Sequence, residues 1–252
     1  MLNIVIPMAG AGSRFARAGY ADPKPLIPIH GVPMIRVVIN NLTPAREHRF
    51  IFICQREHDR QYGLRDKLTS WAPGAELILL DGLTDGAACT VLAAKDLIDN
   101  DDPLMIANSD QYIDCGIGSY LDDMDQRELD GLIMTMKADD PKWSFVGLDA
   151  ASNVTQVVEK KVISDEATVG IYNFRRGRDF ISATQRMIQA NERVNNEFYV
   201  APAYNPMIAG GARIGIFNIG SEGAGMYGLG IPADLEAFLA LDLSRKAVEV
   251  VG

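Results

Sequence analysis

Apolar runs alternate with amphipathic segments along the first half of the chain. The predicted strands, each a short apolar run, are 2–7, 49–54, 75–80 and 104–107. The predicted helices between them are 33–42, 59–71 and 86–98. This βαβ rhythm predicts an α/β fold built on a single doubly wound, mostly parallel (mixed) sheet with right-handed crossovers.

The pattern loosens after about residue 130. Further strands are predicted near 131–137, 144–148, 154–158, 167–174 and 213–217, and helices near 177–191 and 232–244. The glycine-rich stretch 206–232 is interpreted as loops and a strand. Because no linker, repeat or low-complexity tract separates the halves, we predict one domain, 1–252, whose second half (131–252) completes the sheet begun by the first (1–130).

Size and charge exclude several classes of function. A chain of 252 residues, 48% of them hydrophobic, can bury one large α/β core. The net charge of -9 argues against nucleic acid or an anionic membrane as the main partner. No basic segment followed by a long apolar one begins the chain, so no signal peptide is expected. Three widely spaced cysteines fit a reducing compartment, and the cytoplasm is the expected location.

A glycine-rich turn, residues 8–14, follows the first predicted strand. Turns of this kind direct backbone N–H groups toward phosphate oxygens. Two common nucleotide motifs fail here on spacing. Phe15 stands where a dinucleotide fingerprint needs its third glycine, and no Gly-Lys-Ser/Thr of a P-loop occurs.

Three blocks in succession resemble the sugar-phosphate nucleotidylyltransferase family. They are Gly10-x-Gly12-Ser13-Arg14, Pro23-Lys24-Pro25-Leu26 and Gly31-x-Pro33-Met34. The resemblance implies a Rossmann-like, GT-A-like nucleotidyltransferase fold with the nucleotide in the first half and an acceptor in the second. The nucleotide-binding residues that it implies in the turn are Met8, Ala9, Gly10, Ala11, Gly12, Ser13 and Arg14.

The resemblance also implies the reaction. A phosphate oxygen of the acceptor attacks the α-phosphorus of a nucleoside triphosphate, and pyrophosphate leaves. Catalysis then consists mainly of positioning two anions and neutralising their charge. The family's catalytic arginine and lysine fall on Arg14 and Lys24, while Arg17 is interpreted as a solvated cation.

Asn108-Ser109-Asp110 follows the strand at 104–107, where the family places a magnesium-binding aspartate. Asp110 is therefore the implied ligand for Mg²⁺, which often takes only one or two protein carboxylates, and Ser109 is implied to contact the nucleotide. Gly228 stands where many relatives carry a second metal aspartate. Asp234 is assigned to the start of the last helix, and its replacement by Asn is expected to keep activity.

Asp85 and Gly86 resemble the family loop that lies against the nucleotide base. Glycine there permits close approach. The alternative is an ordinary helix N-cap, with Thr84 or Asp85 accepting from helix N–H groups, and the sequence leaves both open.

Four further residues are implied to bind the acceptor. Glu159 and Lys160 lie close to the family's Glu-Lys-Pro, although Lys161 replaces the proline. Gly170 lies on the family's downstream strand, and Glu197 belongs to a polar and aromatic cluster at 195–205 whose position suits acceptor recognition.

We therefore expect a Mg²⁺-dependent nucleotidylyltransferase whose partners are a nucleoside triphosphate and a phosphorylated small molecule, with a sugar 1-phosphate as the main candidate. One alternative keeps the fold but uses CTP and a small non-sugar phosphate. Another is a non-catalytic nucleotide-binding regulator, which the loss of an aspartate at Gly228 would permit. The base, the acceptor and any homo-oligomer stay open.

Overall fold

The computed structural model describes residues 1–10 and 12–251. In chain order its strands are β1 (Leu2–Pro7), β2 (Pro28–Ile29), β3 (Val32–Pro33), β4 (His48–Gln55), β5 (Glu76–Leu80), β6 (Leu104–Ala107), β7 (Gln111–Ile113), β8 (Gly131–Lys137), β9 (Ser144–Leu148), β10 (Val154–Glu159), β11 (Glu166–Phe174), β12 (Ile214–Glu222) and β13 (Gly225–Gly228). Its helices are α1 (Ser13–Arg17), α2 (Met34–Leu42), α3 (Arg56–Tyr62), α4 (Leu64–Trp71), α5 (Ala87–Leu92), α6 (Lys95–Ile98), α7 (Ile117–Gln126), α8 (Gly177–Gln189), α9 (Tyr204–Ala209), α10 (Pro232–Leu239) and α11 (Asp242–Glu249). Short 3₁₀ turns cover Lys24–Leu26 and Ala201–Ala203.

Within these residues eleven strands form one mixed sheet, and β2 and β3 form a separate hairpin. The main order is β5-β4-β1-β6-β11-β8-β12-β13-β7, with β9 beside β11 and β10 beside β9. Strands β5, β4, β1 and β6 are parallel, whereas β11 runs antiparallel to both β6 and β8. The α/β prediction is confirmed. Because β1 and β6 are parallel neighbours, the loops that follow them meet at one edge of the sheet.

Both faces of β1 are buried, which explains why all of its residues except Asn3 are apolar. Ile4 and Ile6 enter one core cluster with α2 and α7, while Val5 enters the other with α5 and α8. A third cluster joins Phe15 and the β2–β3 hairpin to α10 and α11. The glycine turn therefore leaves a rigid strand and is backed by a packed helix.

The predicted strands match the observed ones closely, except that the strand predicted at 213–217 continues to Glu222 as β12. The helices predicted at 33–42 and 177–191 match α2 and α8, and the other three predicted helices are too long. Gly63, at φ +61°, ends α3 and begins α4 inside the segment predicted as one helix. The segments 86–98 and 232–244 are likewise each divided into two helices. Strands β7 and β13 and helices α1, α7 and α9 are among the elements that were not predicted. The interpretation of 206–232 as loops and a strand is wrong where α9 begins this stretch. Strand β7 has only three residues and depends on pairing with the distant β13. No helix among the residues described is long and apolar enough to cross a membrane.

Candidate active site at the carboxyl edge of the sheet

The glycine turn and the lysine block lie against each other. Gly12 has φ +60° and caps α1 without a side chain, and a Cβ atom there would lie 3.6 Å from Cβ of Lys24. Pro23 holds an extended backbone at ψ 148°, and Lys24 begins the 3₁₀ turn that follows it. Ala11 of the turn lies outside the described residues. The structure thus brings Lys24 to the turn that the sequence pairs it with.

Lys24 reaches the end of β6. Its Nζ donates a hydrogen bond to Oδ2 of Asp110 at 2.8 Å, and both side chains are 24% exposed. The predicted catalytic cation and the predicted metal ligand are therefore direct partners. A partly buried ammonium between two loops can meet a phosphate oxygen from one side while the carboxylate holds it from the other.

A cavity of about 270 Å³ opens beside this pair. Met8, Gly10, Gly12, Lys24 and Ser109, all predicted site residues, line it. Ser13 and Arg14 are exposed on α1, and Arg17 folds back to donate to the Ser13 carbonyl at 3.2 Å. Burial is the main cause of the raised pKa of Asp234, and the charge of Arg14 partly offsets that rise. The charge of Arg14 therefore acts on the site.

A second cavity, of about 340 Å³, lies on the other side of the turn and is lined by Ala9, Gly10, Thr84, Gly86, Ala87 and Glu197, among others. Glu197, which the sequence analysis predicts to bind the acceptor, lines this cavity beside the glycine turn. It is not on the wall of the cavity that contains Glu159, described below, because the segment 194–198 folds back onto the loop before α5.

That loop is held by backbone contacts. Phe198 N donates to the Asp85 carbonyl at 2.7 Å, and Ala88 N donates to the Phe198 carbonyl at 3.0 Å. No side chain caps α5, so the alternative in which Thr84 or Asp85 is an N-cap is wrong. The Asp85 carboxylate faces Arg193 at 3.5 Å and does not line the cavity.

Phe198 lies so close to residue 86 that only glycine fits at this position. At φ +114°, a Cβ atom on Gly86 would lie 2.5 Å from the Phe198 carbonyl oxygen, which no packing tolerates. The close approach that glycine permits here is to Phe198, although Gly86 also borders the cavity.

A third cavity, of about 270 Å³, lies between β9, β10, β11 and the 3₁₀ turn at Ala201–Ala203. Its lining contains Asn108, Lys142, Trp143, Ser144, Glu159, Gly170 and Tyr199, among others. Two predicted acceptor residues, Glu159 and Gly170, are on this wall. Lys160 does not line the cavity itself. Its backbone has φ +54°, and its Nζ donates to the hydroxyl of Tyr199, a wall residue, at 2.5 Å and lies over the Tyr199 ring.

Glu159 is an anionic group in an apolar setting. Only 7% of it is exposed, Ser144 donates a hydrogen bond to its carboxylate, and burial raises its pKa above the ordinary value. A carboxylate of this kind gains from any donor that a ligand brings. Gly170, at φ +83°, leaves room for the side chain of Asn108, since a Cβ atom would lie 2.1 Å from Nδ2.

A second carboxylate stands beside Asp110. Two glycines leave room for these carboxylates. A Cβ atom on Gly228 would lie 3.1 Å from Oδ2 of Asp234. A Cβ atom on Gly230 would lie 2.6 Å from Oδ2 of Asp110. Asp234 lies in the first turn of α10, as predicted, yet its carboxylate points into the site. The charge of Asp110 contributes to the raised pKa of Asp234, after burial and Glu222.

Sequence reasoning missed Lys142 and Trp143, and it assigned Asp234 only to the helix. The signal that could have identified them is a lysine and a tryptophan directly before a predicted strand, in the segment Asp140-Pro141-Lys142-Trp143-Ser144. The role of Asp234 depends on how β7, β13 and α10 meet, and that is a long-range feature.

Comparisons with known proteins agree with this arrangement. A family model described as Nucleotidyl transferase matches residues 4–199. The bifunctional protein GlmU of Methanocaldococcus jannaschii is 24% identical over 178 residues, which are 69% of this chain and 40% of that protein. The chain therefore spans well under half of the length of that relative. A 2-aminoethylphosphonate cytidylyltransferase from Lancefieldella rimae is 47% identical over 47 residues, 19% of each chain.

Solved structures are similar over nearly the whole chain. A nucleoside-diphosphate-sugar pyrophosphorylase from Vibrio cholerae RC9 superimposes with a TM-score of 0.79 at 28% identity, covering 94% of this chain and 100% of that one. A UDP-glucose pyrophosphorylase from Acinetobacter baumannii gives a TM-score of 0.70 at 16% identity, with 100% and 98% covered. At 16% identity, the similarity to the Acinetobacter baumannii protein shows the fold alone.

Proposed function

The chain belongs to the nucleotidyl transferase family, and from that premise we propose that it joins a nucleoside monophosphate unit to a sugar 1-phosphate in a Mg²⁺-dependent reaction. A phosphate oxygen of the acceptor forms a bond to the α-phosphorus of a nucleoside triphosphate. The bond from that phosphorus to the bridging oxygen breaks, and pyrophosphate leaves with the electron pair. No covalent enzyme intermediate is needed.

One observation carries the proposal: Lys24, the glycine turn and Asp110 meet at the sheet edge. Two cavities border the turn, and a third is lined by Asn108, in the same loop as Asp110. Two polyanions must be held together there. Lys24, held by Asp110, supplies a cation on the wall of the cavity beside the turn, and Arg14 adds an exposed cation from α1. Backbone N–H groups of the turn provide further donors.

The residues present fit a magnesium ion. Asp110 and Asp234 offer hard carboxylate oxygens across the space left by Gly228 and Gly230. Outside Ala11 and Gly252, no cluster of three or more His, Cys, Asp or Glu side chains forms a closed metal cage. When bound, Mg²⁺ neutralises phosphate charge, and the two carboxylates would hold it.

The acceptor is proposed to occupy the cavity beside Glu159. A sugar hydroxyl can donate to this buried carboxylate, while Gly170 and Asn108 shape the floor. The similarity over whole length to a nucleoside-diphosphate-sugar pyrophosphorylase supports a sugar. The three free cysteines, all of them in the described part of the chain, agree with a cytoplasmic location, which is part of the proposal.

A second candidate follows from the short match, 47% identical over 47 residues, to a 2-aminoethylphosphonate cytidylyltransferase. In this alternative CTP reacts with a small phosphate or phosphonate that carries an amine. Glu159 would then face an ammonium group, and Trp143 and Tyr199 would supply aromatic faces beside it.

The test is a matrix of substrates. The protein is incubated with Mg²⁺, each of ATP, GTP, CTP, UTP and dTTP, and each of several sugar 1-phosphates, phosphocholine and 2-aminoethylphosphonate, and pyrophosphate release is measured. Release with a sugar 1-phosphate supports the first proposal. Release only with CTP and an amine-bearing acceptor supports the second, and no release with any pair contradicts both.

A further inference from the structure

Lys160 lies one position beyond the buried carboxylate that ends β10. On a regular strand, neighbouring side chains face opposite sides, so Lys160 would face away from the cavity that Glu159 lines. The strand instead ends at Glu159, and Lys160 has φ +54°, in the left-handed region that residues other than glycine rarely adopt. Its backbone N–H donates to the Trp143 carbonyl at 3.0 Å, which holds this turn in place. The turn therefore releases the side chain of Lys160 from the alternation of the strand.

The ammonium of Lys160 is held at the cavity wall by Tyr199. Its Nζ donates to the Tyr199 hydroxyl at 2.5 Å and lies over the Tyr199 ring, 4.6 Å from the ring centre. Tyr199 is half-buried and lines the acceptor cavity together with Glu159. An ammonium has three N–H donors, and Tyr199 takes one of them. Two donors therefore remain for a phosphate that enters the cavity.

The position of Tyr199 is fixed by the residue before it. Phe198 is 1% exposed, its N–H donates to the Asp85 carbonyl at 2.7 Å, and its carbonyl accepts from the N–H of Ala88 at 3.0 Å. Ala87, in the same loop, lines both the acceptor cavity and the cavity of Glu197 beside the glycine turn. Tyr199 is therefore attached to a rigid loop that borders both cavities.

The surroundings of Lys160 also favour its charged form. The hydrogen bond with Tyr199 is the main cause of the raised pKa of Lys160, and the charges of Glu159 and Glu197 add to the rise. A cation is thus present at this wall before any acceptor binds.

We propose that Tyr199 is a positioning residue, which holds the Lys160 ammonium at the wall of the acceptor cavity for the phosphate of the acceptor. This inference rests on the proposed function, and it adds that Lys160 depends on Tyr199 in order to bind that phosphate. The hydroxyl supplies a hydrogen bond and the ring supplies a cation–π attraction, so each part of the side chain has its own effect.

The first test measures the kinetics of Tyr199→Phe and Tyr199→Leu with the acceptor that turns over best. Phenylalanine keeps the ring and loses the hydroxyl, whereas leucine loses both. Because Lys160 is exposed, we expect the acceptor KM to rise only about 3- to 10-fold in Tyr199→Phe and about 10- to 50-fold in Tyr199→Leu. The KM for the triphosphate should change by less than about twofold. Lys161→Met is the matched control, since Lys161 is the exposed lysine next in the chain, and it should leave both KM values unchanged.

A double-mutant cycle separates positioning from a direct contact. If Tyr199 acts through Lys160, Tyr199→Phe should hardly change the acceptor KM of a protein that already carries Lys160→Met. If Tyr199 only touched the acceptor itself, or only supported the fold, its loss would raise the KM by the same factor in both backgrounds. Equal factors in the two backgrounds, or an unchanged acceptor KM in Tyr199→Leu, would overturn the inference.

The second test needs no turnover, so its result does not depend on the proposed function. The protein is labelled with ¹³C-lysine, and the ε-methylene signal of Lys160 is assigned with Lys160→Arg. Protons held over an aromatic ring are shifted upfield by its ring current. We expect this shift in the wild type and its loss in Tyr199→Leu. An unshifted signal in the wild type, or a shift that survives in Tyr199→Leu, contradicts the contact on which the inference stands.

The same signal then reports phosphate binding. The wild type and Tyr199→Phe are titrated with inorganic phosphate against sodium chloride of equal ionic strength. We expect a saturable change in the Lys160 signal, with a midpoint at several-fold higher phosphate in Tyr199→Phe. Equal midpoints, or no change in the wild type, contradict the proposal whatever the pyrophosphate assay gives. If the midpoints differ as expected and no pair of substrates releases pyrophosphate, the proposed function has failed and the positioning of Lys160 by Tyr199 has not.

Discussion

Lys24 and Asp110, 86 positions apart in the chain, form a hydrogen-bonded ion pair of 2.8 Å at the carboxyl edge of the sheet. The pair exists because β1 and β6 are parallel neighbours, so the loop after each strand ends at the same edge. In the free protein each charge satisfies the other. A triphosphate would compete with Asp110 for Lys24, and its metal ion would compete with Lys24 for Asp110. The pair therefore holds a cation and a carboxylate in position before the substrates bind.

Lys24→Ala should lower turnover strongly while leaving the fold intact. The loss of one fixed cation from a site that stabilises phosphate charge typically costs about 10²- to 10³-fold in kcat. The pair is partly exposed, so its contribution to folding is small. Pyrophosphate release and a thermal melt measure the two effects. Arg17→Ala, an exposed cation that folds back to Ser13, is the matched control, and equal turnover in Lys24→Ala and the wild type would remove Lys24 from the mechanism.

Asp110→Asn should abolish metal-dependent turnover. An amide oxygen is a weaker ligand for Mg²⁺ than a carboxylate, so kcat should fall by about a hundredfold or more and higher Mg²⁺ should be needed for the residual rate. The rate is measured against Mg²⁺ concentration, with EDTA as the limit for the wild type. Lys24→Ala keeps the Asp110 carboxylate and should not raise the Mg²⁺ concentration that is needed. An unchanged Mg²⁺ curve would remove Asp110 as a ligand.

The sequence predicted the part of the site that depends on strand ends. The buried run of β1 and the apolar run before Asp110 determine where the two loops emerge, so Lys24 and Asp110 could be identified together. Glu159 could be found because it ends a strand. The sequence could not show that Lys142 and Asp234 belong to the site, or which cavity Glu197 lines. Each of these positions depends on how a loop or helix packs over distant strands, as Phe198 packs against Gly86.

Asp234→Asn is now expected to reduce activity. Sequence analysis assigns this residue to a helix start and predicts no loss, but its carboxylate fills the space over Gly228 beside Asp110. If it helps to hold Mg²⁺, turnover should fall about tenfold or more, with a weaker response to Mg²⁺. Asp242→Asn is the matched control, because Asp242 occupies the first turn of α11 and is exposed. Equal rates in the two variants would restore the helix-only assignment.

Gly86→Ala should destabilise the fold rather than abolish a contact to the nucleotide alone. A Cβ atom 2.5 Å from the Phe198 carbonyl, at φ +114°, combines a clash with backbone strain. We expect a loss of about 2 to 4 kcal/mol, measured by denaturant unfolding. Gly82→Ala, in the same loop, has no atom within 4 Å of its Cβ and should cost little. If both variants were equally stable, the contact with Phe198 would not be what requires glycine.

Glu159→Gln should stabilise the free protein and weaken acceptor binding. Burial raises the pKa of Glu159, so the folded state binds a proton more tightly than the unfolded state does, and the ionised carboxylate destabilises the fold at neutral pH. Gln keeps an acceptor for Ser144 without the buried charge. We expect the Tm to rise by about 1 to 3 °C at pH 7 and the acceptor KM to rise as well.

The pH dependence tests the cause of this gain. As the pH falls through the raised pKa of Glu159 toward the ordinary value of 4.5, the wild type protonates this carboxyl in the fold and recovers the lost stability. The Tm difference between Glu159→Gln and the wild type should therefore shrink toward pH 4.5. Glu166→Gln is the contrasting control, because Glu166 is buried but pairs with Lys137 at 2.7 Å and accepts from Thr135. Its replacement should lower the Tm at pH 7. A Tm gain for Glu159→Gln that does not change with pH would show that burial of charge is not its source.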